Sequence, residues 1–251
     1  MKVTSGKRCY YCGGVARSGE HIPPKQMFKA FECDSITVPS CDEHNTKKGG
    51  HDQAIVNALL IPLYTGRYRY PLEPEVQQAI QVGASSFALT KRSAVRTPFL
   101  MNPPHGLEDL PDLVYLKPTV NMTAWIRQLT AGLVNDGIGS ASTSIRWSKS
   151  IVWSPEWFTA DEPIPVEYNE AIRVLKHNQE RRLALDSLTW KEGWSAQPEP
   201  YPGIIYSFQL HFASNREVII RHKFYNRYTW YVFFIASKRN IAKLQKKFEQ
   251  L

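Results

Sequence analysis

The sequence predicts an α+β protein, in which a small zinc-bound hairpin and helix precede a larger region of mixed helix and antiparallel sheet. Cysteines at the spacing of zinc ligands lie near the N-terminus, which predicts the first part. Apolar residues between 120 and 134 recur at helical spacing, and the last third of the chain alternates in the manner of strands joined by turns. A chain of 251 residues has room for both parts.

The zinc ligands are predicted to be Cys9, Cys12, Cys41 and His44. Two thiolates three residues apart in a turn face one ion, and a second pair completes a tetrahedron. A Gly-Gly pair follows Cys12 and suits the tight turn that the first pair needs. The second pair is predicted at the start of a helix, where positions i and i+3 share a face. Cys33 remains an alternative ligand, although it has no partner at ligand spacing.

Residues with hydrolytic chemistry lie among these cysteines. Glu20 and His21 are adjacent between the two pairs, and Asn45 directly follows the second pair. A carboxylate and an amide oxygen suit a hard divalent cation, which would stabilise charge on a scissile phosphate. A neutral imidazole at His21 would accept a proton from the attacking water. A Glu-His dipeptide is common by itself, and its position between zinc ligands gives it weight.

The order of these motifs resembles the HNH endonucleases of the ββα-metal, or treble-clef, superfamily. The matching segments are Glu-His-Ile-Pro-Pro-Lys (residues 20–25), Ile-Thr-Val-Pro-Ser-Cys (residues 36–41) and Asn-x-x-Lys (residues 45–48), as in a bacterial branch of that family. The resemblance implies a treble-clef module that hydrolyses DNA phosphodiester bonds with Mg²⁺ or Mn²⁺. It makes Glu20 and Asn45 ligands of that ion and His21 the general base. A role in prokaryotic defence or mobile-element biology is implied by analogy alone.

The chain departs from the family pattern at two positions. The fourth zinc ligand is usually Cys but here is His44, which should still bind zinc. The Asn that orients the base is absent, and Asp34 occupies the nearest position. The family pattern gives Lys48 and Asp52 supporting roles. His51 is a further candidate for a catalytic or metal-binding role, because some HNH motifs end in His.

The formal net charge of +8 and a pI of about 9.3 favour a polyanionic partner. DNA is the first expectation, and RNA is the alternative. The predicted contacts to nucleic acid are Lys25 and Lys47 near the proposed site and, on a basic C-terminal helix, Lys243, Lys246 and Lys247. A regulatory protein or ligand is a further class of partner left open, and the sequence makes no prediction about oligomeric state.

The predicted domains are a nuclease module at 1–65, an irregular connecting segment at 66–118 and a mixed domain at 119–251. In the module, strands before Pro23 and over 36–38 precede a helix from Cys41, which breaks at Gly49-Gly50 and resumes to residue 60. In the mixed domain, helices are predicted at 120–134, 167–189 and 237–251. Strands are predicted at 143–153, 204–212, 217–224 and 228–235.

The N-terminus has no apolar signal region, and no apolar run approaches the length of a membrane span. Cysteines spaced as metal ligands indicate a reducing compartment, so the cytoplasm is the expected location, with no membrane partner. The alternative function is a zinc-stabilised nucleic-acid-binding or protein-interaction module without catalysis. Such a module would not require Glu20, His21 and Asn45 to converge on one ion.

Overall fold

The structure is a computed structural model that describes residues 6–28, 35–46, 48, 52, 55, 56, 59, 122–154, 185–196, 206–224 and 228–249. The predicted connecting segment at 66–118 lies outside the described residues, as do Cys33, Asp34, Lys47 and His51. Most of the helix predicted at 167–189 lies outside them as well. The domain boundaries at 65 and 118 therefore remain predictions.

The N-terminal part contains the predicted hairpin, formed by the antiparallel strands β1 (Ser18–Ile22) and β2 (Ile36–Ser40). Side chains alternate between two faces, as the pleat requires. One face is buried and includes Glu20 and Val38, whereas the other includes His21 and reaches solvent. A short 3-10 helix, Lys25–Phe28, follows β1. The hairpin therefore places two adjacent candidate residues on opposite faces.

The segment after β2 differs from the prediction of a helix from Cys41. Residues 42–46 form turns, and the backbone amides of His44 and Asn45 both donate to the Cys41 carbonyl, at 3.2 and 3.0 Å. The bond from Asn45 spans four residues, as in an α-helix, and another bond of this kind runs from the Asp52 amide to the Lys48 carbonyl at 2.9 Å. The tight turn brings Cys41 and His44 together, which is the role that the predicted helix was to perform.

The amphipathic helix predicted at 120–134 is confirmed as α1 (Met122–Ile138). It continues through Asn135, Asp136 and Gly137, beyond the predicted end at residue 134. The side-chain Nδ2 of Asn135 donates to the Gly139 carbonyl at 2.9 Å and to Ser142 Oγ at 3.0 Å, so it supports the helix end. The change of direction occurs at Gly139, whose φ of +65° suits glycine.

The prediction of a strand over 143–153 was mostly wrong, because only β3 (Ile151–Trp153) is extended. Two 3-10 turns, Gly139–Ser144 and Trp147–Lys149, precede it. Trp147 is buried with its ring centroid 5.2 Å from that of Phe234. Of the alternating apolar residues, Ile145 and Trp147 are thus buried anchors of short turns, and Ile151 and Trp153 lie in the strand.

The C-terminal sheet contains the predicted meander of three strands, β5 (Tyr206–Phe212), β6 (Glu217–Phe224) and β7 (Tyr228–Ile235). Among the described residues it is antiparallel with five strands in the order β3-β7-β6-β5-β4. No pattern in the sequence predicted β4 (Lys191–Ala196), whose pairing with β5 is irregular between Glu192 and Ser195. A strand whose apolar and polar residues do not alternate regularly cannot be recognised from its hydropathy pattern.

The C-terminal basic helix is confirmed as α2 (Lys238–Phe248), capped by Ser237 Oγ, which accepts from the Asn240 amide. Its apolar face includes Leu244 and packs on α1. Apolar residues of the hairpin, of α1 and of one sheet face form one buried cluster. None of the helices in the described ranges has the length and apolarity that a membrane crossing requires. The predicted α+β class with antiparallel sheets is confirmed at this level of detail.

Candidate metal centre

The structure brings the four predicted zinc ligands, Cys9, Cys12, Cys41 and His44, into one cluster. Their ligand atoms all lie within 4.8 Å of one another. His44 Nδ1 is 3.2 Å from Cys41 Sγ and 3.8 Å from Cys9 Sγ, and the sulfurs of Cys12 and Cys41 are 3.8 Å apart. The cluster could bind a metal ion such as zinc.

These separations fit zinc well. Two thiolates bound at about 2.3 Å and at a tetrahedral angle lie about 3.8 Å apart, which is the separation of Cys12 and Cys41. Three sulfurs and one imidazole are also a common donor set of structural zinc sites, in which the protein fills every coordination position. The residues present therefore fit a structural zinc ion.

Without a metal ion, the electrostatics of the cluster favour a deprotonated sulfur at Cys9, whereas burial raises the pKa of the Cys12 thiol to about 11. Burial by itself raises the pKa of the Cys9 thiol, but hydrogen bonds from His44 and from nearby backbone amides outweigh it and lower that pKa to about 5. The Cys9 and Cys41 sulfurs raise the pKa of His44 to about 9 against the effect of its burial. Without a metal ion, the proton on His44 thus neutralises the thiolate, and zinc would replace that proton.

Backbone geometry explains why the first Cys pair folds into a knuckle. The Cys9 amide donates to the Gly14 carbonyl at 2.7 Å, and the Gly13 amide donates to the Cys9 carbonyl at 3.0 Å. Gly13 has a φ of +73°, as expected from its position after Cys12. The Tyr10 amide donates to the Pro39 carbonyl at 2.8 Å, which joins the knuckle to β2. The cluster therefore links the first residues of the module to the end of its hairpin.

Glu20 lies on the buried face of the hairpin with only 2% of its surface exposed. Its Oε1 forms an ion pair with the ammonium of Lys48, and Ser40 Oγ donates to its Oε2 at 3.2 Å. Lys48 is 4% exposed and also lies 3.4 Å from Asp52 Oδ1. Burial raises the pKa of Glu20, and the Lys48 charge opposes that rise. Glu20 is thus a partner in a buried charge cluster.

His21 lies on the opposite face of β1 and is half-buried. Its Nδ1 is 2.8 Å from Ser35 Oγ and 3.4 Å from Thr37 Oγ1. Burial lowers the pKa of His21, and the positive charge of the exposed Lys25 lowers it further. The imidazole is therefore neutral at pH 7 and oriented through one ring nitrogen, as a general base requires.

Asn45 is bonded to the first residues of β1. Its Nδ2 donates to Ser18 Oγ at 2.7 Å and to the Gly19 carbonyl at 3.1 Å. It therefore lies close in space to the strand that carries Glu20 and His21. The structure nevertheless does not bring Glu20, His21 and Asn45 around one open position, because the first two face opposite ways.

A catalytic Mg²⁺ or Mn²⁺ on Glu20 and Asn45 does not fit this arrangement. Both carboxylate oxygens of Glu20 already accept from protein donors, and a cation is already paired with the group. Mg²⁺ also keeps several of its water ligands in proteins, and a side chain that is 3% exposed leaves no room for them. We therefore derive no chemistry through such an ion.

Among the other predicted residues, Lys48 and Asp52 join the buried charge cluster, whereas Lys25, Lys243 and Lys246 are exposed. Lys247 forms an ion pair with Asp136 at 3.5 Å.

The sequence did not indicate several partners of these residues. Ser35 and Thr37 hydrogen-bond His21, and the Trp125 Nε1 of α1 donates to Asp52 Oδ1 at 2.7 Å. Burial raises the pKa of the Tyr10 hydroxyl, and the nearby Glu20 carboxylate raises it further. The two groups are not placed for a hydrogen bond. Strand alternation could have indicated Thr37, but no signal in the sequence links positions 52 and 125.

Comparison of the chain with protein-family models, with curated proteins and with solved structures found no match.

Proposed function

We propose that this protein is an HNH-type endonuclease that hydrolyses DNA phosphodiester bonds, with His21 as its general base. The proposal rests on one observation, the half-exposed imidazole of His21, which is oriented by Ser35 and held neutral at pH 7 by its surroundings. The order of the motifs around it, between two pairs of zinc ligands, is that of the HNH family. The net charge of +8 suits a polyanionic substrate.

In the proposed reaction, His21 removes a proton from water as the water oxygen attacks phosphorus. The phosphorus–oxygen bond to the leaving sugar then breaks, and the leaving oxygen takes a proton from solvent. Both hydrogen bonds that the described residues make to His21 use Nδ1, so Nε2 is the nitrogen assigned to the proton transfer. The exposed Lys25 supplies a positive charge beside His21, where it would attract the phosphate.

The test is cleavage of supercoiled plasmid by zinc-loaded protein, in buffers with Mg²⁺, with Mn²⁺ and without added divalent ion. Wild type should nick or cut the plasmid, and His21→Ala should lose at least about a hundredfold in rate, since general bases contribute that much or more. The matched control is His211→Ala, which removes an imidazole from β5 and leaves the hairpin and its base unchanged. Zinc content must be equal in all three proteins, because loss of zinc would unfold the module.

The pH dependence gives a second readout of the same role. Because burial and the Lys25 charge lower the pKa of His21, the rate should hold down to a pH below about 6.5 before it falls. Lys25→Gln removes the cation and should move that fall to higher pH. Cleavage by His21→Ala at the wild-type rate would contradict the assignment of the base.

A second candidate function, a zinc-stabilised binding module without catalysis, is favoured by the opposite orientation of Glu20 and His21 and by the burial of Glu20. In that case, labelled DNA would bind to wild type and to His21→Ala with equal affinity, and no divalent ion would produce cleavage. Binding together with cleavage that is lost in His21→Ala would favour the endonuclease.

A further inference from the structure

We infer that Lys48 is the resident counter-ion of Glu20, and that Glu20, Lys48 and Asp52 form a buried clamp that fastens the zinc-bound module to α1. In this assignment Glu20 is a positioning residue of the fold and does not bind a divalent cation. None of these three residues takes part in the proposed hydrolysis, so the test of the clamp is independent of the test of that reaction.

The clamp connects three segments that are distant along the chain. Glu20 belongs to β1, Lys48 follows the zinc-binding turn, and the Asp52 amide closes a helical turn on the Lys48 carbonyl at 2.9 Å. Asp52 Oδ1 in turn accepts from the indole Nε1 of Trp125, which is 73 positions further along the chain and belongs to α1. Hairpin, turn and helix are thus joined by consecutive polar contacts.

Burial makes the loss of any one of these contacts costly. Glu20, Lys48 and Asp52 are 2%, 4% and 6% exposed, so an unpaired charge on any of them would lack compensation from water. One lysine between two carboxylates leaves a single excess negative charge, which the Trp125 N–H partly offsets. Removing the cation would leave two buried carboxylates facing each other.

The cluster therefore predicts a reversal of sign in a double-mutant cycle. In the wild-type background, Glu20→Gln should lower the urea midpoint, because a charged partner of Lys48 is lost. In the Lys48→Met background, Glu20→Gln should raise the midpoint, because it removes one of two uncompensated carboxylates. The coupling should reach at least about tenfold in the unfolding equilibrium constant.

The chain offers a matched control pair, Arg17 and Asp42, whose ion pair of 3.1 Å joins side chains that are 72% and 54% exposed. The same cycle with Arg17→Met and Asp42→Asn should show coupling within about fivefold and no change of sign. If Lys48→Met alone does not fold, a folded double variant still demonstrates the reversal. An additive cycle for the buried pair would overturn the inference.

A Mn²⁺ titration of zinc-loaded protein, followed by electron paramagnetic resonance, tests the second half of the inference. Wild type and Glu20→Gln should give the same result, whether both bind Mn²⁺ equally or neither binds it. Loss of Mn²⁺ binding in Glu20→Gln would show that Glu20 is a metal ligand and would overturn the assignment. This arm tests the assignment of Glu20 even if both Lys48 variants fail to fold.

Discussion

At the residue scale, His222 shows how burial fixes a protonation state. It is fully buried, with Nδ1 2.8 Å from the Tyr206 hydroxyl and Nε2 2.9 Å from Thr130 Oγ1. Thr130 donates its own hydroxyl to the Ile126 carbonyl at 2.8 Å, so it accepts from the imidazole. Nε2 therefore carries the hydrogen, and Nδ1 accepts from Tyr206. The chain of hydrogen bonds joins α1 to the sheet through a neutral histidine.

This environment predicts a pH-dependent stability. Burial lowers the pKa of His222 to about 3, whereas the unfolded side chain titrates near 6.5. Below that pH the unfolded state binds a proton that the folded state does not, so stability is lost as the pH falls. The contribution to the slope should approach about 1.4 kcal/mol per pH unit. Urea unfolding of wild type and His222→Gln between about pH 7 and pH 5.5 would measure it.

In that comparison, the free energy of unfolding of His222→Gln should depend less on pH than that of wild type. The zinc ligands and the surface carboxylates are common to both proteins, so their titration cancels in the difference. Equal slopes would mean that His222 is protonated in the folded state.

At the element scale, α1 packs closely against the hairpin at Gly132. A Cβ on Gly132 would lie 2.6 Å from Cγ1 and 2.7 Å from Cδ1 of Ile22, which is fully buried in β1. These distances are far below van der Waals contact, and the core around Ile22 leaves it little room to move. The absence of a side chain at position 132 thus permits the close approach of helix and hairpin.

We therefore expect Gly132→Ala to destabilise the protein by about 1–2 kcal/mol, since overpacking costs more than the helix propensity of alanine returns. Gly137→Ala is the matched control in the same helix. Its Cβ would come within 3.0 Å of a single atom, Leu244 Cδ2 at 2.8 Å, whereas a Cβ on Gly132 would come that close to two atoms of Ile22. Chemical denaturation should show a smaller loss or a gain for Gly137→Ala. Equal behaviour of the two variants would remove the packing explanation.

At the scale of the whole molecule, positive charge collects on the exposed side of α2. Its apolar side is buried against the core, which leaves Lys243 and Lys246 facing solvent. Lys247 differs, because its ammonium lies 3.5 Å from an Asp136 carboxylate oxygen of α1. The helix thus presents a basic surface in which Lys243 and Lys246 face solvent and Lys247 is paired with an acidic side chain.

If this surface follows a nucleic-acid backbone, Lys243→Gln with Lys246→Gln should weaken binding and reduce the slope of log affinity against log salt by about 2. Lys247→Gln should have a smaller effect on the slope, because its charge is already partly neutralised by Asp136. Fluorescence anisotropy with a labelled duplex at several salt concentrations would measure both. An unchanged slope in the double variant would identify the surface as merely solvated.

Local patterns explain what could be predicted at each scale. The spacing of the zinc ligands predicted their cluster, and alternation predicted β5, β6 and β7. The end of α1 was misplaced because Asn135 bonds to Ser142, a contact that requires the turn after the helix. Trp147 was assigned to a strand because an anchor in a short turn and an inward strand residue have the same hydropathy.

The sequence by itself determined the four candidate zinc ligands, the α+β class and the amphipathic helices, because the spacing within each ligand pair and the periodicity of each helix and strand are local. Only the tertiary structure decided the environment of Glu20, which the sequence paired with Asn45 around a metal ion and which the fold instead pairs with Lys48. It also decided that Asp52 meets Trp125 and that Thr130 meets His222. The physical reason is that adjacent strand residues face opposite ways, and the packing of distant segments then determines what each side chain contacts.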